Sequence, residues 1–176
     1  MPWCGRWGAM EIRRIRADEG LRLRALRLRA LADSPTAYGS TLAREEAYPE
    51  AIWHERAASG AAGDKVVTIV AEHDNRLLGM ATGLAADLAT RDAPNPAMVA
   101  VFVDGQVRQQ GVGVGLVEKV IDWAKARGSA GLLVWITSGN EPAMALYRRC
   151  GFRVTGATRP HSHTPTLVEC EMVLDL

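Results

Sequence analysis

The sequence predicts an α/β fold of the α+β kind, with a mixed central sheet of about six to seven strands flanked by helices. Three observations predict it. The runs "VVTIVAEH" (Val66–His73) and "AMVAVFV" (Ala97–Val103) are rich in β-branched residues and have strand length. "LLVWIT" (Leu132–Thr137) is a continuous apolar run, as a strand covered on both faces requires. Between them, from Val112 onward, apolar residues recur with helical period instead.

A chain of 176 residues has room for one domain with a proper core. We read residues 10–176 as that domain, and residues 1–9, which precede a second methionine at Met10, as an N-terminal extension. Within the domain "EIRRIR", from Glu11, reads as a short strand. In "ADEGLRLRALRLRALAD" the Leu–Arg alternation slips phase at Ala25-Leu26, so no strand face stays apolar. A helix fits better, with Leu21, Ala25, Leu28 and Ala32 on one stripe and Asp18 as its N-cap. A loop then leads to a second helix around Pro49 to Ala58, with Pro49 suited to the first turn. Val66–His73 and Arg76–Ala86 make a hairpin across Asp74-Asn75. The strand Ala97–Val103 follows "TRDAPNP", a loop by its prolines.

In the next helix Val112, Leu116, Val117, Val120, Ile121, Trp123 and Ala124 share one side, and Gly128 stops it. After Leu132–Thr137 a short helix opens at Pro142 and closes at Gly151. "RVTGAT" and "TLVECEMVL" are the last two strands, joined by "RPHSHTP". The order is β-α-α-β-β-β-α-β-α-β-β.

The formal charge of +1, from 21 basic and 20 acidic residues, provides no bulk field toward nucleic acid or an anionic membrane. The chain has neither an apolar run of transmembrane length nor an apolar signal core. Cys4, Cys150 and Cys170 form no CxxC and no zinc spacing, so we expect no metal, a reducing compartment and a cytoplasmic location.

The chemistry concentrates at "RQQGVGVG" (Arg108–Gly115), which lies between a strand and a helix. The first amides of a helix lack internal carbonyl partners and sit at its positive end, and glycines let an anionic phosphate approach them. A P-loop needs Lys-Ser/Thr after its last glycine, but Leu116-Val117 follows Gly115. The dinucleotide fingerprint fails at Leu116, where its third glycine belongs, which disfavours a nucleotide-binding oxidoreductase. What does fit is Arg/Gln-x-x-Gly-x-Gly/Ala, met by Arg108, Gly111 and Gly113. A second segment, "NEPAMALYRRCGF", carries Asn140, Ala143, Leu146, Tyr147, Gly151 and Phe152 at the spacing Asn-x-x-Ala-x-x-Leu-Tyr-x-x-x-Gly-Phe.

On these two motifs the sequence resembles the GNAT N-acetyltransferase superfamily. The resemblance implies a mostly antiparallel sheet with a splayed pair of strands and acetyl-CoA as co-substrate. Val101, Phe102 and Val103 would offer strand backbone to the pantetheine arm. The amides of Arg108, Gln109, Gln110, Gly111, Val112 and Gly113 would hold the pyrophosphate, with Asn140 on the pantetheine side. Tyr147 would be the general acid for the leaving thiolate. It implies a small-molecule or peptide amine as acceptor, and homodimers are common in such families. The bare chemistry agrees: acyl transfer to a neutral amine needs a polarised carbonyl and a protonated thiolate, and no covalent intermediate.

The chain departs from the family at two points. Gly105 stands where a proline is frequent, and "AMVAVFV" lacks the glutamate that serves some members as general base. The base is therefore unassigned, with Glu72, His73, His161 and His163 as candidates. The missing glutamate also keeps a non-catalytic acyl-CoA sensor open as the alternative. On residue chemistry alone Asn140 also suits a helix cap, Gly115 suits close packing on a neighbouring strand, and Tyr38 with Glu45-Glu46 suits either a lining of the acceptor pocket or, by preference, an unselective surface.

Overall fold

The computed structural model describes residues 4–5, 8–86 and 95–176. Most of the loop "TRDAPNP" lies outside them. We number the main-sheet strands β1 (Glu11–Arg14), β2 (Val66–His73), β3 (Arg76–Leu84), β4 (Ala97–Val103), β5 (Gly131–Thr137), β6 (Arg153–Pro160) and β7 (Val168–Asp175). The helices are α1 (Gly20–Asp33), α2 (Leu42–Glu46), α3 (Glu50–Ala62), α4 (Val112–Ala126) and α5 (Glu141–Arg149). Cys4–Gly5 and Gly8–Ala9 pair as a separate antiparallel ribbon.

The seven strands lie in the order β1-β2-β3-β4-β5-β7-β6. Only β4 and β5 run parallel, so the sheet is mixed and mostly antiparallel. The β2–β3 hairpin turns on Asp74 (φ 45°) and Asn75 (φ 60°), the paired positive φ values that a two-residue turn of this hand demands. Alternation along the strands splits the core in two. Val67, Ile69 and Ala71 of β2 join Leu78 and Ala81 of β3 beneath α4 and α5, while Val70, Leu77 and Met80 face α1 and α3.

The α4 stripe is buried as its periodicity predicts, at Val112, Leu116, Val117, Val120, Ile121, Trp123 and Ala124. Gly115 faces β1, where an added Cβ would collide with Ile12 Cδ1; the packing role suffices for it. The α1 stripe is not the predicted one. Leu23, Leu26, Ala30 and Leu31 are buried, whereas Leu21 is 49% exposed and Ala25 and Ala32 also face solvent. Both leucine sets have helical period, so periodicity alone could not choose between them; the choice falls to packing on α3 and β3. The N-cap is likewise Glu19 rather than Asp18, with no side-chain capping bond. Glu19 instead accepts from Arg13 Nη1 and Nη2 (2.8 and 2.7 Å) and from the Arg16 amide (2.8 Å), which fixes where the helix begins. The short helix α2 stands where the sequence predicts only loop; Thr41 caps it by accepting from the Arg44 amide.

Candidate active site at the splayed strands

Between positions paired with Met80 and Thr82 of β3, β4 carries one extra residue, and Ala100 adopts φ 55°. Such a bulge bends the strand and re-aims the residues beyond it. On its other side β4 pairs with β5 only at Ala97–Leu133 and Met98–Val134, beyond which the two part. The Asp104 amide donates to the Leu78 carbonyl (2.7 Å) on β3. By alternation Phe102 also spends its backbone on β3, and its ring is buried with the α1 cluster. Val101 and Val103 therefore face the gap, and the cofactor-strand expectation for Phe102 is corrected to these two neighbours. Their carbonyls already have partners in this chain: Tyr38 Oη donates to Val101 O (3.2 Å) and Arg108 Nε to Val103 O (2.8 Å).

The loop into α4 opens with a 3₁₀ turn, Gly105–Val107, in which the Asp104 carboxylate accepts from the Gln106 amide. Gln109 (φ 60°) and Gly111 (φ 79°) are left-handed, and Gln110 Nε2 donates to Gln106 O (3.3 Å). Gly111 is the N-cap of α4, with no side-chain capping bond and no acid in the first turn. A side chain at φ 79° would be strained, so the glycine is required by the turn as well as by any ligand. The helical bond from Gly115 N to Gly111 O leaves the earlier amides of Val112, Gly113 and Val114 without a helical carbonyl. Gly113 lies against α5, where an added Cβ would come within 3.3 Å of Leu146. The Arg108 guanidinium is paired with Asp33 at 2.6 Å.

A cleft of about 1050 Å³ runs from this gap under α1, α2 and α3. From α5, Asn140, Ala143 and Tyr147 line it. Asn140 caps α5, its Oδ1 accepting from the Ala143 amide at 3.3 Å. Tyr147 is 5% exposed and meets Phe152 edge-on, with centroids 5.6 Å apart. Burial, with a smaller contribution from Tyr38, pushes the Tyr147 phenol well above its ordinary value; Tyr38 is itself pushed up to about 12, chiefly by burial. Both are therefore neutral hydrogen-bond donors at physiological pH. The loop before α2 is tied across the gap: Thr137 Oγ1 donates to Thr36 O (2.7 Å), and His163 Nε2 bonds Gly39 O.

None of the four sequence-derived base candidates lines the cleft. The Glu72 carboxyl is held below its ordinary value by hydrogen bonds from Arg22 and Arg13. His73 Nε2 lies 3.2 Å from the Asp74 carboxylate. The His161 ring is buried, and its Nδ1 accepts from the amides of His163 and Thr164, which leaves the proton of a neutral ring on Nε2. His163 must donate from Nε2, since its partner there is a carbonyl.

The other wall carries Tyr38 and Glu45, for which the sequence favoured a surface reading over a pocket one. Tyr38 and Glu45 are buried at 6% and 1% exposure and line the cleft, against the surface reading; Glu46 is exposed as expected. Glu45 accepts from Arg27 Nε and Nη2 and from Arg56 Nη1. Burial pushes its carboxyl up, but the Arg27 hydrogen bonds and the two positive charges outweigh it and hold the net value below the ordinary one. Arg27 stacks over the Tyr38 ring (4.7 Å), and Arg56 over those of Tyr48 and Trp53 (5.1 and 4.9 Å). These pairings join positions 18 and 11 residues apart, and no short motif encodes them.

The profile of the Acetyltransferase (GNAT) family matches residues 28–152. The chain belongs to the GNAT acetyltransferase family. It is 29% identical over 135 residues to the [ribosomal protein bS18]-alanine N-acetyltransferase of Escherichia coli K12, spanning 76% of this chain and 82% of that one. It is 32% identical over 87 residues to human N-acetyltransferase 8, a match that takes in 49% of this chain but 38% of the human protein. In fold it resembles yncA of Salmonella typhimurium, solved with its cofactor acetyl-CoA, with a TM-score of 0.77 at 20% identity over 96% of this chain and 95% of that one. The GNAT chain thus has the mixed sheet and the splayed pair that its two motifs imply.

Proposed function

We propose that this GNAT chain is an N-acetyltransferase that moves an acetyl group from acetyl-CoA to a primary amine. The observation that carries the proposal is the parting of β4 from β5 at the Ala100 bulge, before a helix whose first amides have neither a helical carbonyl nor a side-chain cap among the described residues. The residues fit the co-substrate. Uncapped amides at the positive end of α4 suit a pyrophosphate, and a strand edge facing a gap suits an amide-bearing arm.

Bound acetyl-CoA supplies an activated thioester. The amides from Arg108 to Gly113 hold its phosphates, with the Arg108 side chain serving to pin the loop to Val103 and Asp33. A strand residue directs its N–H and C=O to the same edge, so the Val101 and Val103 amides face the pantetheine arm. Asn140 contributes from the start of α5, beyond its capping role. The amine nitrogen attacks the acyl carbon, a C–N bond forms and the C–S bond breaks. Tyr147 donates its phenolic hydrogen to the departing sulfur, and the proton lost by the amine passes through solvent in the cleft and restores the phenol, so the net products are amide and free thiol. Burial keeps the phenol protonated and so in place as a donor at neutral pH, while also making it a weaker acid than an exposed tyrosine.

Release of free thiol from acetyl-CoA over a panel of primary amines tests the proposal. We expect amine-dependent release with at least one member. A protein that binds acetyl-CoA yet releases thiol with none of them would be an acyl-CoA sensor instead.

A further inference from the structure

The loop that carries Tyr38 bridges the gap between the parted strands. Thr36 O accepts from Thr137 of β5 (2.7 Å), Tyr38 Oη donates to Val101 O of β4 (3.2 Å), and Gly39 O accepts from His163 on the turn between β6 and β7. Tyr38 lines the cleft at the lip that β4 forms. Its ring is held from the far side by the Arg27 guanidinium, 4.7 Å from the centroid, and Arg27 is itself anchored on Glu45. These ties set the phenol in place before any ligand arrives, and burial keeps it a neutral donor.

The bond that this hydroxyl makes is a loose one. At 3.2 Å it exceeds the ordinary O–H···O range of ~2.5–3.0 Å, and a hydroxyl hydrogen rotates to suit its partner. Val101 is also where a thioester would arrive. The phosphate site at the start of α4 follows Val103 in the chain, so an arm lying along the β4 edge passes Val103 first and meets Val101 with its thioester end. In an extended strand a residue's N–H and C=O leave the same edge side by side. An acyl oxygen accepting from the Val101 N–H therefore lies beside the Val101 carbonyl, in reach of the hydroxyl already bonded there. Tyr147 lines the same cleft from α5, near enough to Tyr38 for the two phenols to act on each other electrostatically.

We infer that Tyr38 is a catalytic hydrogen-bond donor to the thioester oxygen, its hydroxyl turning from Val101 O to the acyl oxygen and acting there together with the Val101 N–H. This inference rests on the acetyltransferase reading and adds a residue to that site. As the amine lone pair forms the C–N bond, the carbonyl π pair moves onto oxygen, and the two donors stabilise the charge that builds there. The pair returns as the C–S bond breaks, so Tyr38 keeps its hydrogen throughout and ends the cycle unchanged. The two phenols thus divide the work: Tyr147 gives a proton to sulfur, and Tyr38 only shares one with oxygen. Val101 O, released by the hydroxyl, is left to the N–H donors of the arm.

The test is isotope-edited infrared spectroscopy of acetyl-CoA, labelled at its carbonyl carbon and bound to the protein, since the carbonyl stretch falls in frequency as hydrogen bonds to its oxygen strengthen. It needs no acceptor. We expect the bound band to lie below that of free acetyl-CoA and Tyr38→Phe to move it part of the way back, with acetyl-CoA affinity nearly unchanged. Replacing Tyr38 by 3-fluorotyrosine, which keeps the ring and makes the hydroxyl a stronger donor, should move the band the opposite way. With an amine that the wild type acetylates, Tyr38→Phe should lower kcat by about a hundredfold or more, as loss of an oxyanion donor does. A band indifferent to both replacements would overturn the inference even if turnover fell, because a loosened loop slows the reaction without touching the carbonyl. Unaltered kcat in Tyr38→Phe would overturn it too. A wild-type protein that binds no acetyl-CoA would instead bring down the acetyltransferase reading, and this inference with it.

Discussion

Beneath α4 the sheet meets seven buried apolar or small side chains from Val112 to Ala124, and no ion pair is needed. Beneath α1 and α3 it meets Leu26, Leu31 and Trp53 together with a buried carboxylate held by two arginines and, at the α1 start, the Arg13–Glu19–Arg22–Glu72 network. The first face is a foundation: each residue's burial follows from its own side chain and its phase on the helix. The second face lines the acceptor side of the cleft, and there the charged residues are tolerable only because of partners, several of them far away in sequence.

The sharpest way to break this contrast is to remove one member of each face. Glu45→Ala leaves Arg27 buried without its carboxylate and should destabilise by about 3–5 kcal/mol. Leu116→Ala, on the foundation face, should cost about 2–5 kcal/mol through a cavity alone. Urea unfolding measures both, and a Glu45→Ala protein as stable as the wild type would show that the cluster carries no buried charge. Tyr147→Phe should behave differently again: turnover falls by about a hundredfold with acetyl-CoA affinity and stability unchanged, since only a hydrogen donor is lost. Steady-state kinetics beside calorimetry resolves that split, and unaltered turnover would leave Tyr147 as a packing residue.

Acid should attack the second face first. Glu19 is lowered from an ordinary 4.5 to about 2, chiefly by hydrogen bonds from Arg13. A carboxylate depressed in the folded state adds stability that is full above pH 4.5 and is lost as pH falls toward 2. Urea midpoints should drop across that window, and Glu19→Gln should flatten the profile; an equally steep profile in the variant would place the acid sensitivity elsewhere. The smallest effect expected is that of Leu21→Ala. At 49% exposure it should shift stability by no more than about 0.5 kcal/mol, whereas the same change at buried Leu23 should cost about 2 kcal/mol or more.

The two faces were unequally legible for the same physical reason. The α4 stripe, the Asp74-Asn75 hairpin and the helix-opening Asn140-Glu141-Pro142 are local, each set by side chains within a turn or two. On α1, by contrast, leucines at two phases of the helix each make an apolar stripe, and only the tertiary surroundings select Leu23 and Leu26 over Leu21 and Leu28. Tyr38 and Glu45 were opaque because their burial depends on Val101, Arg27 and Arg56, at separations a motif does not record. Within the candidate site the family pattern points to Val101 through Val103 as a run, while strand alternation reserves the gap for its first and last members and turns Phe102 into the core.

The central claim is that the gap between β4 and β5 and the uncapped start of α4 form an acetyl-CoA site. Calorimetric titration of the purified protein with acetyl-CoA tests it most directly. Saturable one-to-one binding is the predicted result, and the absence of any binding heat at millimolar acetyl-CoA would contradict it.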